Sequence, residues 1–190
     1  MPRKSTTFNA ALEPVTSALP VSIAASVGDL VARHGYLDWV LGQVMYDLME
    51  ISIRQGRVIM KLPRPRMYVA AVKELFEFHG IEGRFDFDDF ASRLEAAHIA
   101  CREVTRSVYM RDSSEPGAVH LVRSPWDPGP GGEQQPEAQR MDAKYVAARK
   151  KQVEDAVKAA EKLRTLTDRL LRESHEKRSR PGFDRRSKRR

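Results

Sequence analysis

The chain of 190 residues has one cysteine, Cys101, so it cannot close an internal disulfide. No group of Cys and His residues has the spacing of a structural zinc site, which removes zinc fingers along with disulfide scaffolds. Long apolar runs are missing as well. The most apolar stretch, Tyr36 to Ile53, is interrupted by Asp38, Gln43, Asp47 and Glu50, whereas a membrane-spanning helix needs about 20 nearly uncharged residues. Arg3 and Lys4 precede a segment rich in Ala, Ser and Thr, but Glu13, Pro14 and Pro20 break any signal-like apolar core. The expected compartment is therefore the cytoplasm. Neither the Walker pattern nor the dinucleotide fingerprint occurs, and Gly129, Gly131 and Gly132 lie in a Pro-rich stretch with no strand before it. No serine sits in the glycine-flanked turn of a hydrolase, and Cys101 is expected to face the core, where a thiol is inert. No repeat of fixed period is visible, which argues against solenoids and propellers. Neither a metal nor a cofactor is expected.

Charge is present in quantity, and its location is informative. The chain carries 33 basic and 26 acidic residues, a formal net charge of +7. Eight of the basic residues, Lys177, Arg178, Arg180, Arg185, Arg186, Lys188, Arg189 and Arg190, fall in the last 14 positions beside a single acid, Asp184. Taking these from the totals leaves 25 basic and 25 acidic residues in positions 1–176. The body is neutral and the C-terminal run alone makes the protein basic.

Periodicity gives the architecture. Residues 1–20 hold Pro2, Pro14 and Pro20 among small polar residues and read as a flexible arm. Val21 to His34 suits a short helix stopped by Gly35. From Tyr36, Leu37, Val40, Leu41, Val44, Met45, Leu48 and Met49 recur at three-and-four spacing, the face of a core helix that can run past Gly56 to Ile59 but must end before Pro63. Pro65 opens a second core helix with Tyr68, Val69, Val72, Leu75 and Phe76 on its buried side and Gly80 at its end. Asp86, Asp88 and Asp89 announce a third; three carboxylates can bind a divalent ion, but at a helix start they cap free amides. Its apolar face is Phe87, Phe90, Leu94, Ala97, Cys101, Val104 and Val108. The period then changes, and residues 109–123 read as a short β-hairpin. Residues 124–138 form a Pro/Gly linker containing Trp126, which can anchor the linker or a partner. Residues 139–176 hold a long helix with Val146, Val153, Ala156, Val157, Ala160, Leu163, Leu170 and Leu171 on one side, expected to pack on the core. The fold class is all-α: a four- or five-helix bundle with a β-hairpin insertion and a disordered basic tail from 177 to 190.

This order of elements over residues 36–123 resembles the higher-eukaryote-and-prokaryote nucleotide-binding (HEPN) helical domains. Bacterial members often end the third helix in Arg-Asn followed by His-Gly, a tryptophan and a hairpin closing on Leu-Val-Arg. The corresponding segment here, Arg102 to Arg123, keeps Arg102, Gly117, Leu121, Val122 and Arg123 but has Glu103 for the Asn and Ser107 for the His. In catalytic members, which cleave RNA, an Arg and a His activate the ribose hydroxyl and stabilise the cleaving phosphate. No histidine follows Arg102 in the required window, so the resemblance implies a catalytically degenerate member. The Arg93/His98 and Arg169/His175 pairs match the loose spacing about as often as chance supplies, and residues five or six apart on a helix point about 120° to 140° away from each other.

Two further groups bear on function. Glu95, His98, Arg102 and Arg106 share one side of the third helix; they suit a phosphate or protein-partner site, and equally a solvated stripe of weak ion pairs. Pro63, Arg64, Pro65 and Arg66 make a basic spot that reads as a rigid connector. The C-terminal run is the strongest signal, because flexible Arg-rich segments neutralise phosphates with little sequence preference and Phe183 can stack on a base. The expected function is a non-enzymatic helical interaction or regulatory module whose basic tail contacts nucleic acid. The alternatives are an RNA-cleaving enzyme of toxin or defence type using Arg93, His98 or Arg102, and a structural scaffold docking through its last helix. The expected partners are nucleic acid at the tail and a protein or second copy at a helix face.

Overall fold

A computed structural model of the chain describes residues 12–15, 19–59, 65–80, 85–115, 117–123 and 138–179. In chain order they form β1 (Leu12–Pro14), α1 (Val21–Leu48), α2 (Ile53–Ile59), α3 (Pro65–Phe78), α4 (Phe87–Arg106), β2 (Ser107–Asp112), β3 (Val119–Arg123), β4 (Ala138–Arg140) and α5 (Ala143–Ser179). The described residues are thus mostly helical, with one small antiparallel sheet. No helix among them is long and apolar enough to cross a membrane.

The expected stop at Gly35 is overturned, because α1 runs unbroken through it. One exposed glycine costs a helix only about 1 kcal/mol relative to Ala. The buried series Leu30, Leu37, Leu41, Val44 and Leu48 continues across it in register. The expected continuation past Gly56 is corrected too. The helix ends in a reversal in which Ile51 N–H donates to the Tyr46 carbonyl and Glu50 N–H to that of Asp47, both at 3.1 Å. Glu50 takes the left-handed conformation, φ 54°, at the position where glycine is usual. Ser52 then starts α2 with a capping box: Gln55 N–H donates to Ser52 Oγ at 3.3 Å, and Ser52 N–H to Gln55 Oε1 at 2.9 Å. Gly56 is buried where a Cβ would overlap the Tyr46 ring, so this close approach of α2 to α1 requires glycine.

The sequence expectation for α3 holds at Tyr68, Val69, Val72 and Phe76, while Leu75 is only half-buried, and Gly80 takes the left-handed conformation at φ 70°. Asp86 caps α4 by accepting from Asp89 N–H at 2.9 Å. On α4 the buried face is Phe90, Leu94, Ala97, Ala100 and Val104; Cys101 is only half-buried, and Val108 belongs to β2 and is 42% exposed.

The hairpin is larger than expected. It starts at Ser107, directly after α4, and becomes the centre of a four-stranded antiparallel sheet in the order β1-β2-β3-β4. Leu12 pairs with Asp112 and Pro14 with Met110 on one edge, while His120 pairs with Arg140 and Val122 with Ala138 on the other. A two-stranded hairpin leaves backbone groups unpaired on both edges. Three residues of the expected arm satisfy one edge, and the last linker residue, Ala138, with Gln139 and Arg140 from the segment read as helix, satisfies the other. Pro14 is tolerated because β1 is an edge strand. The remainder of the arm, residues 1–11 and 16–18, and the linker at 124–137, with Trp126, lie outside the described residues.

The last helix begins at Ala143 rather than 139 and extends to Ser179, three residues into the segment read as tail. Lys and Arg are good helix formers and complement the negative end of the helix dipole, which accounts for the extension. The buried seam is Val153, Ala156, Ala160, Leu163, Thr167 and Leu170. Thr167 enters this series without an unpaired hydroxyl, since its Oγ1 donates to the Leu163 carbonyl at 3.0 Å.

The fold divides into two compact units: residues 1–37 with 92–157, and residues 38–91 with 158–190. The first contains the sheet and segments of α1, α4 and α5; Leu30, Leu37, Leu94, Ala97, Val104, Val119, Leu121 and Val153 are buried in it. The second contains α2, α3 and the complementary segments of the three long helices. Its core is aromatic: Phe85 meets Phe87 and Phe90 at ring-centroid separations of 5.2 and 5.5 Å, and Phe76 meets Phe87 at 5.3 Å, all edge-on. Tyr68 packs against Phe90 and donates its hydroxyl to the Leu41 carbonyl at 3.0 Å, and burial pushes its ionisation far up.

Candidate functional site

In the first unit, α4 and α5 meet at a half-buried polar cluster. Asp142 starts α5 by accepting from Tyr145 N–H at 2.7 Å, which fixes Tyr145 in the first turn. Tyr145 donates its hydroxyl to Glu103 at 3.2 Å, and the Arg149 guanidinium reaches the same carboxylate at 2.6 Å while lying 4.9 Å from the centre of the Tyr145 ring. Burial raises the Tyr145 pKa, opposed by its contact with Arg149. Glu103 is thus the carboxylate that joins α4 to α5.

α1 and α5 are joined by a second set of ions. Asp29 receives Lys150 at 2.7 Å and Arg33 at 3.1 Å, and Arg33 reaches Glu154 at 3.2 Å. The Lys150 ammonium, followed by Arg33, holds the Asp29 carboxyl below the ordinary carboxylate range.

The α4 stripe read from sequence is present on one helix, with Glu95 and Arg102 half-buried and His98 and Arg106 exposed. Its neighbour is His34 of α1, whose ring centroid lies 5.8 Å from that of His98 at an interplanar angle of 48°. Sequence reasoning left His34 unassigned, and no pattern within either helix points to the pair, since only packing brings them together. Two imidazoles and a guanidinium one turn away are suited to holding an anionic oxygen or a partner carboxylate. Arg93 and His98 lie five apart in continuous α4, so their side chains diverge. Arg169 pairs with Glu173 at 3.9 Å, and the His175 side chain lies outside the described residues.

In the second unit, the end of α1 and the α5 segment line an open cleft of about 410 Å³ with Tyr46, Asp47, Glu50, Ile51, Asp168, Leu171 and Arg172. Burial, with repulsion from Asp168, raises the Asp47 pKa, and Arg164 opposes the shift. Arg164 also lies 5.1 Å from the centre of the half-exposed Trp39 ring. Among the described residues no three His, Cys, Asp or Glu side chains converge as a metal-binding group.

Of the basic run, Lys177 and Arg178 fall in the last turn of α5, which corrects the expectation that the tail begins at 177. Arg180, Arg185, Arg186, Lys188, Arg189 and Arg190 lie outside the described residues. No family model, curated protein or solved structure matches the chain.

Proposed function

We propose that this chain is a non-enzymatic helical interaction module, a catalytically degenerate HEPN-like bundle, whose basic C-terminal run contacts nucleic acid without sequence preference. The observation that carries the reading is the segregation of charge: a body balanced at 25 basic and 25 acidic residues, followed by 14 residues of net charge +7. A run of that charge releases counterions from a phosphate backbone whatever its sequence. The non-enzymatic part rests on the α4–β2 junction, where the positions matching the family's Asn and His hold Glu103 and Ser107. Glu103 is committed to Tyr145 and Arg149, and Ser107 opens β2.

The test is removal of Lys177 to Arg190. Truncation should leave the helical spectrum and melting temperature nearly unchanged, lower affinity for mixed-sequence RNA or DNA at least tenfold, and leave RNA uncleaved by either form. Equal binding by both forms overturns the reading.

The alternative, an RNA-cleaving enzyme, gains one observation, the second imidazole that His34 brings to His98, because general acid–base cleavage uses two proton-transfer groups. RNA cleavage by the intact protein that disappears in both His98→Ala and Arg102→Ala, with the fold retained, would establish it in place of the first reading.

A further inference from the structure

The cleft of the second unit joins the Tyr46 ring and the aliphatic side chains of Ile51 and Leu171 to three carboxylates and one arginine, Arg172, so its lining is amphipathic and net negative. Asp47 and Asp168 have no hydrogen bond or ion pair among the described residues, although Arg172 lines the same cleft. Burial and the Asp168 charge raise the Asp47 pKa. A cation beside the two carboxylates would relieve their repulsion. Arginine matches this lining: its guanidinium forks to carboxylates and stacks on rings, and its methylene stem covers apolar surface such as that of Ile51 and Leu171.

The chain carries its own supply of arginine close by. α5 ends at Ser179, and the 11 residues that follow hold six basic side chains and one acid. Asp168 and Arg172 precede Ser179 by 11 and 7 residues, about 16 and 10 Å along the helix axis. Eleven extended residues reach up to about 36 Å, so the run is long enough to return to the cleft and pass it. Arg180-Pro181-Gly182-Phe183 has proline and glycine at the two central positions of a type II turn, the signature of a chain that reverses direction. A reversal there sends Arg185, Arg186 and Arg189 back along α5 toward Asp168. Tethering over so short a span gives a local concentration of about millimolar, which favours the run over a free amine or a foreign basic peptide.

We propose that this cleft is the seat of the chain's own basic C-terminal run, an arginine of which lodges between Asp47 and Asp168, and that the run leaves the seat when it engages nucleic acid. The release step rests on nucleic acid being the ligand of the run; the seat itself does not. A seated guanidinium offsets the repulsion between the carboxylates but not the burial of Asp47. The contact is therefore weak, and it gives way to a phosphate backbone that engages many basic residues at once.

The experiment is limited trypsin digestion of the full chain at low ionic strength, with release of C-terminal peptides followed by mass spectrometry. Asp47→Asn combined with Asp168→Asn removes the seat. Glu74→Gln combined with Glu77→Gln, at two exposed positions of α3, makes the same charge change away from it. A circular-dichroism melt checks that both variants keep the fold. A run seated roughly four-fifths of the time leaves about one-fifth open to the protease, so the first variant should lose its tail about fivefold faster than the intact protein and the second at the intact rate. Protection should not depend on protein concentration. In fluorescence anisotropy with a single-stranded RNA, the first variant should bind about fivefold tighter than the second, because no internal seat competes. Equal tail release from all three proteins, or equal acceleration in both variants, overturns the seat. Protection that deepens with protein concentration places the tail of a second copy in the cleft and overturns it as well. Faster release from the first variant with no RNA binding by any of the three overturns the release step and the nucleic-acid reading, and leaves the seat standing.

Discussion

The two units reach stability by different chemistry, although three of the same helices contribute to both. In the second, Phe76, Phe85, Phe87, Phe90 and Tyr68 pack edge-on. In the first, the helix segments are small at their contacts, with Ala97, Ala100 and Ala156 fully buried. They are tied at their margins by Asp29, Arg33, Lys150 and Glu154 and by Glu103 and Arg149. Aromatic packing scales with area removed from water, about 25 cal/mol per Å², whereas half-exposed ion pairs contribute little each and are screened by salt. Both units should therefore fail on loss of buried volume, and the first, whose helices are also tied by ion pairs, should be the more sensitive to salt.

The largest test of that contrast is Phe90→Ala. The side chain is 1% exposed and touches both Tyr68 and Phe85, so its loss should cost about 3 to 5 kcal/mol in a denaturant titration. Leu94→Ala, one turn further along α4 and 3% exposed, should cost about 2 to 5 kcal/mol. Gly56→Ala comes next. The added methyl overlaps the Tyr46 ring, and overpacking of this kind costs about 1 to 3 kcal/mol, more than the gain in helix propensity.

The smallest effects are the most diagnostic, because two carboxylates on α1 are shifted in opposite directions. Asp29 is held low by Lys150 and Arg33. Its contribution to stability is present above the unfolded-chain carboxylate pKa and is lost as pH falls through the lower folded value. Asp47 is pushed up by burial and Asp168. It opposes folding at neutral pH, and that penalty is relieved as pH falls through its raised folded value. Asp29→Asn should thus destabilise at pH 7, less so in high salt, while Asp47→Asn should stabilise at pH 7 and lose its effect in acid. The same sign for both at pH 7 would remove the distinction drawn between the two ends of the helix.

What was legible in the sequence follows the same physical divide. The faces of α3 and α5, the Asp86 cap and the Gly80 stop were readable because each depends on neighbours within one helix. Gly35 misled because a helix breaker of about 1 kcal/mol is overridden by an apolar series that keeps its register. β1 and β4 were invisible because three residues have no periodicity; only the unpaired edges of the hairpin call them into strands. The His34–His98 and Asp47–Asp168 neighbourhoods join residues more than 60 positions apart, and no spacing rule reaches across that interval. For the candidate site, the α4 stripe was readable and its α1 companion was not.

If nucleic-acid binding resides in the charged segment appended to a neutral body, as we propose, its dependence on salt should follow the number of tail arginines. Fluorescence anisotropy with a labelled single-stranded RNA, measured for the intact chain across a salt series, should give a logarithmic slope of about −0.7 per phosphate neutralised. Replacing Arg185, Arg186, Arg189 and Arg190 one after another with Gln should flatten that slope stepwise. A slope that stays the same after all four replacements, or binding that does not depend on salt, would contradict the account.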